Sequence, residues 1–202
     1  VLADLVQSAP ATHSGEKKPM LHLYESILDE MRNSLGKIGR DAFNEAVTEI
    51  AQAKRVAVYG VGREGLQIKG FAMRLFHLGL KSAVVGEMTT PAIEEGDLLI
   101  VSAGPGDFST VSALIGVAKG SGARVLVLTA NAEGAAALRA DTVLFIPAQT
   151  MADDEGEKRS VLPMGSLYEA GLFVVSELLI LSLSERLSVA ASTMRSNHTN
   201  LE

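Results

Sequence analysis

Cysteine is absent from the 202 residues, which removes disulfides, thiolate zinc sites and cysteine nucleophiles at once. Histidine is scarce. His13, His22, His77 and His198 have no partner at ligand spacing on one helix, so we expect no protein-built metal site. Positive charge is not in excess: 18 Lys and Arg stand against 24 Asp and Glu, a formal net charge of −6. That gives no basic footprint for nucleic acid, and no helix is rich in Lys and Arg on one face, as a membrane-surface helix would be. A long hydrophobic run is also missing. The best candidate, Gly171–Leu183, contains Ser176 and Glu177 and is too short to span a bilayer.

The amino end has no basic segment followed by an apolar core, so it is not a secretory signal. It begins at Val rather than Met, which leaves room for an organelle address removed from a protein otherwise expected to be soluble and cytoplasmic. Hydrophobic content of 47% with 21% charged residues suits an ordinary globular chain with a real core. Residues 7–19 are rich in Ser, Thr, Pro, Gly and Lys, so 1–19 is expected to be a mobile leader and 20–202 a single domain.

From Met20, the residues Leu21, Tyr24, Ile27, Leu28, Met31 and Leu35 fall at helical spacing. A second helix over Phe43–Ala53 follows with no strand between, which predicts an antiparallel helical hairpin ahead of the main domain. The pattern then changes. Short β-rich runs at Arg55–Tyr59, Ser82–Val85, Leu98–Ser102, Val125–Thr129 and Thr142–Ile146 mostly alternate with helices over Leu66–Leu78, Val111–Lys119 and around Ala135–Leu138. A last long helix is expected to open at Pro163. Nearly continuous apolar strands mean an α/β fold with a five-stranded parallel sheet covered on both faces, in the flavodoxin-like order 2-1-3-4-5. The long acidic loop Pro147–Leu162 reads as a solvated connection or as a lid.

Two glycine-rich loops carry the functional argument. Gly60-Val61-Gly62-Arg63-Glu64-Gly65 follows the first strand and matches the dinucleotide fingerprint, with Glu87 placed where a ribose-binding acid would stand. No second mononucleotide half follows, the chain is short for a separate substrate domain, and a helical hairpin comes first. A nicotinamide oxidoreductase is therefore only a rival, and we expect no cofactor. The second loop runs from Ser102 through Gly104, Gly106, Asp107 and Ser109 to Thr110, after the third strand. Neighbouring strands whose connections leave in opposite directions open a crevice, where two helix amino ends offer N–H groups to an anion.

The strings VYGVGREGLQIKGFAMRLFHLG (58–79), VVGEMTTPAIEEGDLLIVSAGPG (84–106), PMGSLYE (163–169) and NHTNLE (197–202) identify the chain as a member of the SIS (sugar isomerase) family of the 6-phospho-3-hexuloisomerase type. The resemblance covers about residues 20–202. It implies an isomerase that moves a carbonyl between neighbouring carbons of a sugar phosphate through an enediol, in a tetramer with sites between subunits. Glu169 maps to the favoured base, with stabilisation of its own helix start as the alternative role. Arg63 would hold substrate oxygens, or else pair with Glu94 or Glu95. His77 would help open the sugar ring or be a core histidine, and His198 would reach a neighbouring subunit's site or stand solvated on an unattached tail. Thr89 and Thr90 would line the pocket or cap a turn. The partners expected are a sugar or sugar phosphate and further copies of this chain, as a dimer or tetramer.

Departures from the family pattern matter as much. Its first loop reads Gly-Arg-Ser, and the serine is Glu64 here. Its second loop reads Ser-Gly-Ser-Gly-Glu-Thr, against Ala103, Gly104, Pro105, Gly106, Asp107 and Phe108. All three hydroxyls are gone. A charge-assisted hydrogen bond is worth roughly 1.5–3 kcal/mol, so losing two or three weakens phosphate binding by about a thousandfold. Two readings stay open: an isomerase of a sugar derivative, and a non-catalytic module that binds one. On either, Glu64 is expected to fill the anion position from within.

Overall fold

A computed structural model describes residues 20–155 and 159–201; the leader expected over 1–19 lies outside the described residues. The strands are β1 (Val56–Gly60), β2 (Ser82–Val84), β3 (Leu98–Ser102), β4 (Arg124–Thr129) and β5 (Thr142–Phe145). They pair in parallel in the predicted order, β2-β1-β3-β4-β5. Val56 pairs with both Ser82 and Leu98, and Gly60 pairs with Ser102. β1 and β3 therefore end level, and the two glycine-rich loops start side by side.

Every residue of β3 is buried, and the two-residue period of a strand divides its side chains between two cores. Leu98 and Ile100, with Leu126 and Leu128 of β4, face a core closed by α2 (Arg40–Gln52), α3 (Gly62–His77) and α5 (Ser166–Arg186). Leu99 and Val101, with Val125 and Val127, face a smaller core under α4 (Ser109–Gly120). Strands covered on both faces need apolar residues at every position, which is why they read as continuous runs. α1 (Met20–Leu35) docks on α5, and α2 docks on α5 and β5. The two amino-terminal helices are thus part of the first covering layer, and not merely a hairpin ahead of it.

Most boundaries shift by one to three residues from the sequence reading, and three differences bear on the site. α3 begins at Gly62, four residues before the expected start at Leu66. Gly62 takes a φ of 56°, so the chain turns straight from strand to helix, and the glycine-rich letters form the first helical turn. α5 begins at Ser166, so Pro163 is not in its first turn. Instead Met164 and Gly165, at φ 57° and 76°, make a left-handed corner after it. The helix around Ala135–Leu138 is a single 3₁₀ turn, Ala137–Arg139.

α5 is long and apolar enough to cross a bilayer by length and composition, with half of that length buried within the domain. Its buried stripe of Leu172, Val175, Leu179 and Leu183 recurs every three to four residues and packs on the main core. Phe173, Leu178 and Leu181 lie on its other side, exposed at 55%, 42% and 60%.

Candidate functional site

The crevice forms where α3 leaves β1, the β3 loop turns into α4, and α5 begins. Three glycines explain how closely these pieces approach. A Cβ on Gly65 would lie 2.5 Å from the Gly60 carbonyl oxygen, so the first turn of α3 sits directly on the end of β1. A Cβ on Gly104 would lie 2.8 Å from the Tyr168 ring and 2.9 Å from Glu64 Oε1. Gly60 and Gly65 of the fingerprint therefore serve backbone packing and Gly62 a left-handed turn, and no ligand is needed to explain them.

Glu64 is in the first turn of α3 and is 7% exposed. Ser102 Oγ donates to its Oε2 at 2.6 Å, and the Gly104 N–H donates to the same oxygen at 3.0 Å. Tyr168 OH lies 3.1 Å from Ser102 Oγ. Since the Ser102 proton goes to Glu64, the phenol is the donor in that second bond, giving a relay from Tyr168 through Ser102 to Glu64. Burial pushes the Glu64 carboxyl above its ordinary range and the nearby Glu169 charge adds to this, against the pull of the Ser102 and Gly104 bonds. Tyr168 is driven well above the usual phenol range by burial and then by the Glu64 charge.

Glu169 is in the first turn of α5, and Arg63 Nε meets its Oε1 at 3.0 Å. The same guanidinium donates from Nη1 to Ser166 Oγ at 3.1 Å and from Nη2 to the Met164 carbonyl. Arg63 therefore clamps the start of α3 to the corner that opens α5. It does not pair with Glu94 or Glu95: Glu94 belongs to Arg55, and Glu95 offers its carbonyl to Lys54. Burial raises the Glu169 carboxyl, and Arg63 offsets only part of that.

The remaining expected residues are placed elsewhere. Gly106 turns toward the loop after β4, where a Cβ on Gly134 would lie 2.4 Å from its Cα. Asp107 accepts from Ser112 Oγ at 2.9 Å and so braces α4, while Ser109 and Thr110 are exposed at the start of that helix. Thr90 Oγ1 donates to the Val84 carbonyl at 2.6 Å, a turn-closing bond. Thr89 and Glu87 line a cavity of about 220 Å³ along β1 and β2, with Arg55, Lys81 and Asp97 at the opposite ends of the strands. That cavity shares no residue with the crevice, whose convergent polar groups make it the better candidate.

His77 is buried at the far end of α3, where its ring stacks on His198 with centroids 5.0 Å apart. Asn197 Nδ2 donates to the His77 carbonyl at 2.9 Å, pinning α6 (Ala191–Ser196) and the tail that follows. His77 lies thirteen residue steps along the helix from Glu64, about 20 Å at 1.5 Å per residue. Within one chain, neither histidine meets Glu169.

The acidic loop is held at both described ends. Thr150 N–H donates to Asp153 Oδ1 at 2.7 Å, and Val161 N–H donates to Glu30 Oε1 of α1 at 2.9 Å. Residues 156–158 lie outside the described residues.

Residues 49–173, more than half of the chain, match the SIS domain family. The chain belongs to the SIS family. A Mycobacterium gastri protein named 3-hexulose-6-phosphate isomerase is 40% identical over 87% of this chain and 88% of its own. One of the same name from Bacillus subtilis is 34% identical over 87% and 95%. A Methanococcus jannaschii protein, whose crystal structure infers a molecular function of 3-hexulose-6-phosphate isomerase, superposes with a TM-score of 0.74. It is 30% identical, over 89% of this chain and 97% of that one. The SIS domain here thus gathers Arg63, Glu64, Ser102, Gly104 and Glu169 from the expected set. Ser166 and Tyr168 join them although the sequence did not single them out. Their signal lay in the PMGSLYE string: both polar letters stand on an otherwise apolar helix, within one turn of Glu169.

The raised Glu64 carboxyl has a measurable consequence. Folding tightens its hold on the proton, so its contribution to stability is full at low pH and is lost as pH rises through the raised value. At neutral pH the buried charge is a cost that Glu64→Gln removes. We expect the melting temperature of Glu64→Gln, relative to the parent, to be higher at about pH 8 than at about pH 4. A difference that stays constant or shrinks toward pH 8 would show that the carboxylate is not penalised.

Proposed function

We propose that this SIS domain isomerises a carbohydrate derivative through an enediol, with Glu169 as the base. The observation that carries the reading is a half-buried carboxylate, raised by its surroundings, held at the crevice mouth by Arg63. A carboxylate whose proton affinity is raised above the ordinary range is a better proton acceptor from carbon. In the step proposed, Glu169 takes the proton from the carbon next to the carbonyl and returns it to the neighbouring carbon. A second proton passes between the two oxygens. The Arg63 guanidinium, already beside Glu169, meets the enediolate oxygen as charge develops there. The names of the relatives support the same class of reaction.

Following ketoses and their 6-phosphates by proton NMR in deuterated water tests this directly. Migration of the carbonyl to a neighbouring carbon, or deuterium appearing at the carbon beside the carbonyl, is expected. If a substrate binds and neither change occurs, the chain is the non-catalytic module instead. That second reading has its own support: Arg63 already engages Glu169, and Glu64 already takes the donors of the β3 loop.

We also propose that the protein works as a dimer or tetramer. The exposed Phe173, Leu178 and Leu181 on the outer side of α5 give one helix a second apolar face that its own sheet does not cover. His198 is too far from Glu64 to act in its own chain, so any part it plays lies in the crevice of another copy. Light scattering at micromolar concentration is expected to give at least twice the 21.3 kDa chain mass. A monomer would remove both the assembly and that part for His198.

A further inference from the structure

Ser102 and Gly104, at the end of β3, offer a hydroxyl and an N–H to the centre of the crevice, beside the amino end of α3. Donors at a helix start on a topological switch point ordinarily receive an anion from outside. Here the anion is part of the chain. Both hydrogen bonds end on Glu64 Oε2, and Tyr168 supports the first of them through Ser102 Oγ. Glu64 Oε1 receives no hydrogen bond from the described residues, although the side chain is 7% exposed and its oxygen lies 2.9 Å from where a Cβ of residue 104 would stand. Oε1 is therefore an acceptor fixed in place by its twin oxygen and without a donor among the described residues.

The charge balance points the same way. Glu64 and Glu169 interact as like charges, and the one guanidinium gathered with them, Arg63, is committed to Glu169, Ser166 and the Met164 carbonyl. A phosphate dianion brought to this loop would meet a carboxylate in the place of its donors. A hydroxyl or ammonium group would meet the acceptor it lacks.

We propose that Glu64 is the resident anion of the crevice, and that the ligand presents to it a hydrogen-bond donor of an unphosphorylated sugar, not a phosphate. This rests on the isomerase reading for the kind of ligand, and it narrows that ligand to one that is neutral or cationic at the β3 loop. Glu64 is then a specificity-determining residue, and the serine-to-glutamate departure is what excludes sugar phosphates.

Calorimetry on the full chain tests the inference with fructose, glucosamine and fructose 6-phosphate as probes. The parent is expected to bind fructose or glucosamine more tightly than fructose 6-phosphate, with the better of the two showing whether the donor is hydroxyl or ammonium. Glu64→Ser, which removes the charge and returns a hydroxyl, is expected to raise the affinity for fructose 6-phosphate by about a hundredfold. Glu64→Gln keeps the shape while removing the charge, and about a tenfold gain is expected. If the serine variant does not melt cooperatively, the glutamine variant decides alone. Micromolar binding of fructose 6-phosphate by the parent, or no gain in the folded variants, overturns the inference. Binding is read without turnover. A chain that gains phosphate affinity yet isomerises nothing would therefore overturn the isomerase reading alone, and turnover with unaltered phosphate affinity would overturn this inference alone.

Discussion

Replacing Glu169 by Gln is expected to lower turnover by about 10²–10⁴-fold, the usual contribution of a positioned base, with folding and ligand binding largely intact. The amide keeps the shape and still accepts from Arg63, so the clamp loses its charge and not its geometry. Since Arg63 is 45% exposed, the lost ion pair itself changes stability little. Turnover is expected to rise with pH along a limb set by Glu169. Burial raises that carboxyl, so the limb lies above the ordinary carboxylate range in the parent, and it disappears from the residual activity of Glu169→Gln. Unchanged turnover in the variant would place proton transfer elsewhere, with His198 of a neighbouring copy the next residue to replace.

Gly65→Ala is expected to destabilise the protein by about 1–3 kcal/mol, the usual cost of overpacking a tight contact. The new Cβ would stand 2.5 Å from the Gly60 carbonyl oxygen and 3.1 Å from its carbon, and both are backbone atoms that cannot rotate away. α3 must lift from β1, carrying Glu64 out of reach of Ser102 and Gly104. For a chain of this size that is a fall in melting temperature of roughly 2–12 °C. Gly70→Ala in the same helix is the control. A Cβ there meets nothing within 4 Å, so helix propensity alone acts and stability should rise by up to about 1 kcal/mol. Equal effects at the two positions would mean that the close approach of α3 to β1 is not what holds the crevice.

The parts of the fold that were legible in the letters are those governed by local rules. Leu98–Ser102 had to be a strand covered on both sides because every residue in it is apolar until the last, and β3 is buried at each position. Helices α1 to α5 were visible from their periodicity, and the alternation of strands and helices suggested the flavodoxin-like sheet order that the structure adopts. Boundaries were less legible where glycine served two ends. Gly62 looked like loop because glycine marks turns, yet its positive φ opens α3. Pro163 looked like a first helical residue, but the Met164–Gly165 corner displaces it: Arg63 donates to the Met164 carbonyl, and Gly165 lies against the Thr150–Met151 backbone where a Cβ would not fit.

The site divides along the same line. Sequence alone determined that this is an SIS-type α/β chain and that Glu169 stands at the start of the last long helix, while its resemblance to the family implied the serine-to-acid replacement at Glu64 and the lost hydroxyls of the second loop. Those facts follow from residue identity and short-range spacing. Only the tertiary structure decided what the replacements do. It brings Ser102 to Glu64 across 38 positions of sequence and Arg63 to Ser166 across 103, and it carries His77 to the opposite end of α3 from them. Residues so far apart in the chain have no local rule linking them. Their meeting depends on the register that ends β1 and β3 level and on glycines 60, 65 and 104, which let backbone, ring and carboxylate approach to contact.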